Sequence, residues 1–148
     1  MKNKTKKMLI IITICLIIID QFIKIIAIKS LTDPIGNDFL GLEIVHNTGM
    51  AFGFNDGNIK NIFLTIFVLL IVLNFVKNQI ERIDNKTTIA LSLVIAGGIS
   101  NLIDRIFRGF VIDFIKIYKI PNFNFADICI VLGWGFLIVF LIDYTKKN

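Results

Sequence analysis

Four long apolar runs with charged residues around their ends constrain this chain more than any other feature. They span Met8 to Ile28, Ile59 to Val76, Thr87 to Ile103 and Ala126 to Tyr144. An α-helix crosses the hydrocarbon core of a bilayer with about 20 mainly apolar residues. The chain has 148 residues, is 55% hydrophobic and has a mean hydropathy of +0.79. That is more apolar surface than one water-soluble core of this size can bury. The sequence predicts a membrane protein of four transmembrane helices in a single domain, residues 1–148.

Charge sets the expected topology. Lys2, Lys4, Lys6 and Lys7 precede the first run, Lys77, Arg82 and Lys86 lie between the second and third, and Lys146 and Lys147 follow the fourth. Basic residues favour the cytoplasmic side, so both termini are expected there. The net charge of +5 comes from these flanks and not from one polar face, which argues against a nucleic-acid partner. The first run has the charge pattern of a signal peptide but no small-residue cleavage site, and Ile14 is too large to precede a lipoprotein-type Cys15. It reads as a retained helix. Cys15 and Cys129 both lie in apolar runs and read as packing residues. His46 is the single histidine, so no histidine-built metal site is expected, nor any cofactor.

The two remaining connections then face outward. Residues 29–58 include LGLEIVHNTGMAFGF, which is β-prone and punctuated by glycine, and predict a short strand or small sheet at the membrane surface. Residues 105–125 mix Phe, Ile, Lys and Asp and are expected to lie in the interface.

Ionisable residues within or beside membrane segments are costly and therefore functional candidates. Asp20 and Lys24 share a helix face four residues apart, either as a self-neutralising pair or as part of a site. Asn47 and Gly49 mark a turn that either ends a strand or meets a substrate chain. Asn101, Asp104 and Arg105 close the third run after Gly97 and Gly98, two residues that permit close helix packing. Asp127 opens the fourth run, where a helix dipole favours a carboxylate; Asp113 lies in GFVIDF. Two carboxylates brought to one pocket share a proton, one serving as base and the other as acid. There is no H-E-x-x-H and no Gly-x-Ser-x-Gly, so an enzyme built on this chain would use aspartate chemistry.

In order along the chain, Asp20-Gln21-x-x-Lys24, Asn47-Thr48-Gly49-Met50-Ala51-Phe52, Gly97-Gly98 with Asn101-x-x-Asp104-Arg105, Val111-Ile112-Asp113-Phe114 and Phe123-Asn124-Phe125-Ala126-Asp127 resemble the motifs of bacterial lipoprotein signal peptidase, also called signal peptidase II. The resemblance covers nearly the whole chain. It implies an aspartic endopeptidase of the bacterial cytoplasmic membrane, with its active site near the outer face. The substrates it implies are diacylglyceryl-prolipoproteins, cut before the lipidated cysteine. Asp113 and Asp127 would be the catalytic pair, and Asp20, Lys24, Asn47, Gly49, Asn101, Asp104, Arg105 and Asn124 would line or brace the substrate pocket. It also implies a small extramembrane β-cradle, an interfacial helix on the outward face, contact with membrane lipids, inhibition by globomycin-type peptides and a chain that works as a monomer. Ser100 departs from the family's glycine, and the stretch from Asp113 to Asp127 is short. The rival reading is a small proton-coupled membrane transporter relaying through Asp20, Lys24 and Asp104.

Overall fold

A computed structural model describes residues 2–49, 58–81 and 83–147. It contains α1 (Lys2–Ser30), β1 (Ile35–Gly36), β2 (Leu40–Asn47), α2 (Asn58–Gln79), α3 (Asn85–Phe107), β3 (Val111–Ile117), β4 (Ile120–Phe123) and α4 (Phe125–Lys147). The four expected spans are all helical, and each helix runs past its apolar run. Most residues in these extensions are polar, with Ile106, Phe107 and Phe125 the apolar ones. Asp84 caps α3 by accepting the Thr87 amide at 2.8 Å, which starts that helix two residues before the apolar stretch.

α3 is the central helix and touches the other three. The sequence explains why. Gly97 and Gly98 remove side chains where two neighbours arrive. A methyl at Gly97 would overlap the Ala126 carbonyl at the start of α4, and one at Gly98 would stand 3.0 Å from Leu69 of α2. Small residues thus set how closely the helices approach. Near the charged end that Lys6 and Lys77 mark, Val72, Val76, Ile80, Leu91, Val94 and Ile95 form the apolar core. The outer surfaces of α1, α2 and α4 expose Ile18, Phe22, Phe63, Phe67 and Val131, as a lipid solvent allows. α1, α2 and α3 are each long and apolar enough to cross a bilayer, and α4 has an apolar stretch over Phe125–Phe140.

The two connections expected to face outward lie at one end and form a single antiparallel sheet in the order β1-β2-β3-β4. The interfacial helix has no counterpart among the described residues. Within residues 105–125, the connection expected to lie in the interface, β3 and β4 make a tight hairpin. Its Lys119 adopts φ 61°, and Tyr118 donates its amide to the Phe39 carbonyl at 2.8 Å. The segment is β-branched and alternating, so it finds a partner in β2. Cross-strand partners share a face. Asp113 therefore shares one with Ile115 and Ile117, which pair with Leu42 and Leu40. On the other face Glu43 accepts Lys116 at 3.1 Å and Asn122 at 3.0 Å.

Candidate active site

The polar residues singled out in the sequence converge where the sheet meets the helix ends. Asp127 lies in the first turn of α4, and Asn124 precedes that helix. The Asn124 amide donates to Asp127 Oδ2 at 3.1 Å, and the Asp127 amide donates to Asn124 Oδ1 at 3.0 Å. This is a reciprocal capping box with Asn and Asp in the paired positions. It orients Asp127 and also leaves the Asn124 Nδ2 group facing the sheet.

That group joins the two carboxylates. Asn124 Nδ2 donates to Asp113 Oδ1 at 2.7 Å and to Asn101 Oδ1 at 3.3 Å, while Asn101 Nδ2 donates to Asp127 Oδ1 at 2.8 Å. Asn47, at the end of β2, donates to Asp113 Oδ2 at 2.8 Å. Its Oδ1 accepts the Gly49 amide at 2.9 Å, a local turn that fixes the amide's direction. Arg105 reaches the same turn and donates to the Gly49 carbonyl at 3.3 Å. Met50, Ala51 and Phe52 of this motif lie outside the described residues. Asp113 is fully buried, and that burial, reinforced by the charge of Asp127, pushes its carboxyl up to about 6 against the pull of the Asn47 and Asn124 hydrogen bonds.

A second pair of carboxylates supports the first. Lys24, with no exposed surface, lies 2.8 Å from Asp20 and 2.8 Å from Asp104, and donates to Asn101 Oδ1 at 3.1 Å. The expected Asp20–Lys24 pair is real, but it is one arm of a larger cluster. Asp20 Oδ1 accepts the Ala126 amide at 2.8 Å, one residue before Asp127. Asp104 Oδ2 accepts the Ile112 amide at 3.3 Å, one residue before Asp113. Each supporting carboxylate therefore grips the backbone beside one member of the other pair, and a single ammonium holds the two supports together. A buried ion pair is tolerated only when its remaining lone pairs are satisfied, as they are here.

Two residues that the sequence reading did not assign complete this cluster. Gln21 donates to Asp104 Oδ1 at 3.0 Å and to Ser100 Oγ at 2.9 Å; Arg108 donates to Gln21 Oε1 at 2.9 Å and pairs with Asp104. Position alone signals Arg108, four residues after Asp104. Ser100 has a use: its hydroxyl, fully buried, donates to Asp20 Oδ2 at 2.6 Å. His46 is elsewhere, stacked on Phe110 with ring centroids 4.0 Å apart. Both cysteines are free thiols.

A helical membrane bundle capped by a small sheet, with paired carboxylates at their junction, defines the class: a membrane enzyme with an acidic site. Comparison with known proteins narrows it. Residues 12–143 match the family described as signal peptidase (SPase) II. A lipoprotein signal peptidase of Fusobacterium nucleatum is 37% identical over 141 residues, spanning 90% of this chain and 85% of that protein. One from Halothermothrix orenii is 33% identical over 143 residues, spanning 94% and 98%. A bacterial membrane enzyme solved by the in meso method at 2.3 Å superposes with a TM-score of 0.83 at 29% identity, covering 95% of this chain and 90% of that one. This chain belongs to the signal peptidase II family, bacterial multi-span membrane proteases that remove signal peptides from prolipoproteins. The transporter reading has no support from these relatives. Nor does the bundle offer it a path: away from the cluster, the buried polar groups of α1 and α3 among the described residues are the hydroxyls of Thr13, Thr88 and Ser92.

Proposed function

We propose that Asp113 and Asp127 are the catalytic pair of an aspartic endopeptidase that cuts diacylglyceryl-modified prolipoproteins before the lipidated cysteine. The observation that carries this is the amide bridge: two carboxylates from different elements held in one site through Asn124 and Asn101. Asp127, at a helix N-terminus, accepts the Asn124 amide and the Asn101 side chain, contacts that favour its ionised form against the burial that opposes it, and we assign it the role of base. Asp113, with its carboxyl near 6, is suited to carry the proton.

The reaction then runs as follows. Asp127 takes a proton from water as the oxygen attacks the scissile carbonyl, and Asp113 gives its proton to the carbonyl oxygen. The resulting diol collapses. The cysteine nitrogen leaves with the proton held on Asp127, and a hydroxyl proton returns to Asp113. Products are a signal peptide with a free carboxyl and a lipoprotein with a free cysteine amine. The apolar sheet face beside Asp113, with Leu40, Leu42, Ile115 and Ile117, suits a substrate anchored in lipid. Asp20, Lys24 and Asp104 brace the pair, while Asn47, Gly49 and Arg105 shape the pocket wall. Both termini are cytoplasmic, the site opens outward, and globomycin-type peptides occupy it.

The test is cleavage of a purified diacylglyceryl-prolipoprotein, read by mass. Wild type releases the signal peptide; Asp113→Asn and Asp127→Asn do not. Unchanged cleavage by either variant sinks the pair, and cleavage of a non-lipidated precursor sinks the substrate class.

A further inference from the structure

We infer that Asn61 is a positioning residue of this site, holding the Thr48–Gly49 turn from α2 and, through Asn47, holding Asp113 in line. The inference rests on the catalytic reading of Asp113.

α2 turns Asn61, Leu69, Val72 and Val76 into the protein, all buried, along one helix face. Asn61 is the first of these, 2% exposed, at a position where the pattern calls for an apolar side chain. Its neighbours Ile59 and Phe63 face outward at 70% and 68% exposure, so the inward placement is specific to this residue. Asn61 Nδ2 donates to the Thr48 carbonyl at 3.2 Å. Its Oδ1 is buried without a partner among the described residues, a cost that an aliphatic side chain would avoid. An asparagine that costs stability and makes one long-range tie is best explained by that tie.

The tie leads to the reacting group. Thr48 lies between Asn47, which donates to Asp113 at 2.8 Å, and Gly49, whose amide locks the Asn47 side chain at 2.9 Å. Arg105 holds the Gly49 carbonyl from α3. The turn is thus held on one side by α3 and on the other by α2. Releasing Asn61 lets the turn shift and weakens the Asn47 bond to Asp113. Asp113 also feels Asp127 from α4, Lys24 from α1 and Arg105 from α3, and of these only Arg105 touches the turn that Asn61 holds.

The experiment is a double-mutant cycle of Asn61→Leu with Asn47→Ala, measured by prolipoprotein cleavage across pH and by thermal melting in detergent. Asn61→Leu is expected to melt at or above the wild-type temperature, since it completes the apolar face. Its kcat is expected to fall about tenfold, the scale of a small misplacement of a reacting group. The pH limb governed by Asp113 moves upward, because a bond favouring the ionised form is weakened. In the Asn47→Ala background, Asn61→Leu adds nothing further. An unchanged limb and rate, or effects that simply add, overturn the inference. Asn61→Ala, which removes the amide without adding bulk, carries the same cycle should the leucine variant not fold. Asp113→Asn separates the two failures. If it still cleaves, the catalytic pair is wrong; if it is inert while Asn61→Leu matches wild type, only the role of Asn61 is wrong.

Discussion

Asp20 and Asp104 differ from Asp113 and Asp127 in what meets them. The first two share the Lys24 ammonium, and Arg108 adds a second cation at Asp104. The second two are met by the amides of Asn47, Asn101 and Asn124. An ammonium brings a compensating charge to the carboxylates it holds, whereas neutral amides orient theirs without supplying one. Removing a charge partner should therefore cost stability in the first pair, and removing a carboxyl should cost turnover in the second.

The largest expected effect tests the second half of that contrast. Asp113→Asn and Asp127→Asn should each lower cleavage by about 10²- to 10⁴-fold, the range for loss of a general acid or base, in a protein that still folds. A variant that loses both activity and its melting transition would erase the distinction between the pairs.

Lys24→Met tests the first half. It strands two buried carboxylates, and breaking such a pair typically costs about 3–5 kcal/mol. The expected result is a melting temperature well below that of either dyad variant. If Lys24→Met melts with wild type, the brace is dispensable and the contrast fails.

Close packing gives the next effect. Gly97→Ala should destabilise by about 1–3 kcal/mol, because its methyl meets the Ala126 carbonyl and must push α4 away. Turnover should fall as well, since Ala126 precedes Asp127. A variant with wild-type melting and rate would show that α4 can yield without moving the site.

The smallest effects sharpen the comparison. The Asp113 carboxyl titrates near 6 in the fold against an ordinary 3.8. Its proton is bound more tightly in the native state, so ionisation of Asp113 costs stability above pH 6 and costs nothing well below 3.8. Asp113→Asn removes that cost, about 3 kcal/mol for the shift, but turns an N–H towards one of the two amide donors Asn47 and Asn124, so a net gain of about 1–2 kcal/mol is expected at pH 8, shrinking as pH falls from 6 towards 4. Melting across pH measures it, and a gain that grows on acidification would reverse the assignment. Ser100→Gly removes the hydroxyl between Gln21 and Asp20 and should cost about 1 kcal/mol by melting.

Much of the site was legible beforehand. Asp20 and Lys24 are four apart on a helix, and charged residues in an apolar run invite suspicion without any coordinates. The ordered motifs named Asn47, Asn101, Asp113, Asn124 and Asp127. Other parts were not legible. β-branched residues in 111–117 favour a strand there, but its partner β2 lies about 70 residues away in sequence, and nothing local names that partner. Asn61 lies in an apolar helix that also carries Lys60, Thr65 and Asn74, with no motif around it, and only its burial and its bond to Thr48 distinguish it from a tolerated polar residue.

The sequence by itself determined the solvent and the suspects. Apolar length dictates helices in lipid because a backbone there must bond within itself. The price of charge in that solvent marks the aspartates. Only the tertiary structure decided which aspartates are paired with an ammonium and which are met by amides. That division depends on hydrogen bonds of 2.6–3.3 Å between residues as far apart as Asp20 and Ala126, separated by 106 positions. Chain order carries no trace of such contacts. The contact to Ala126 exists because Gly97 lets the start of α4 come close to α3, beside Asp20 and the lysine that joins Asp20 to Asp104.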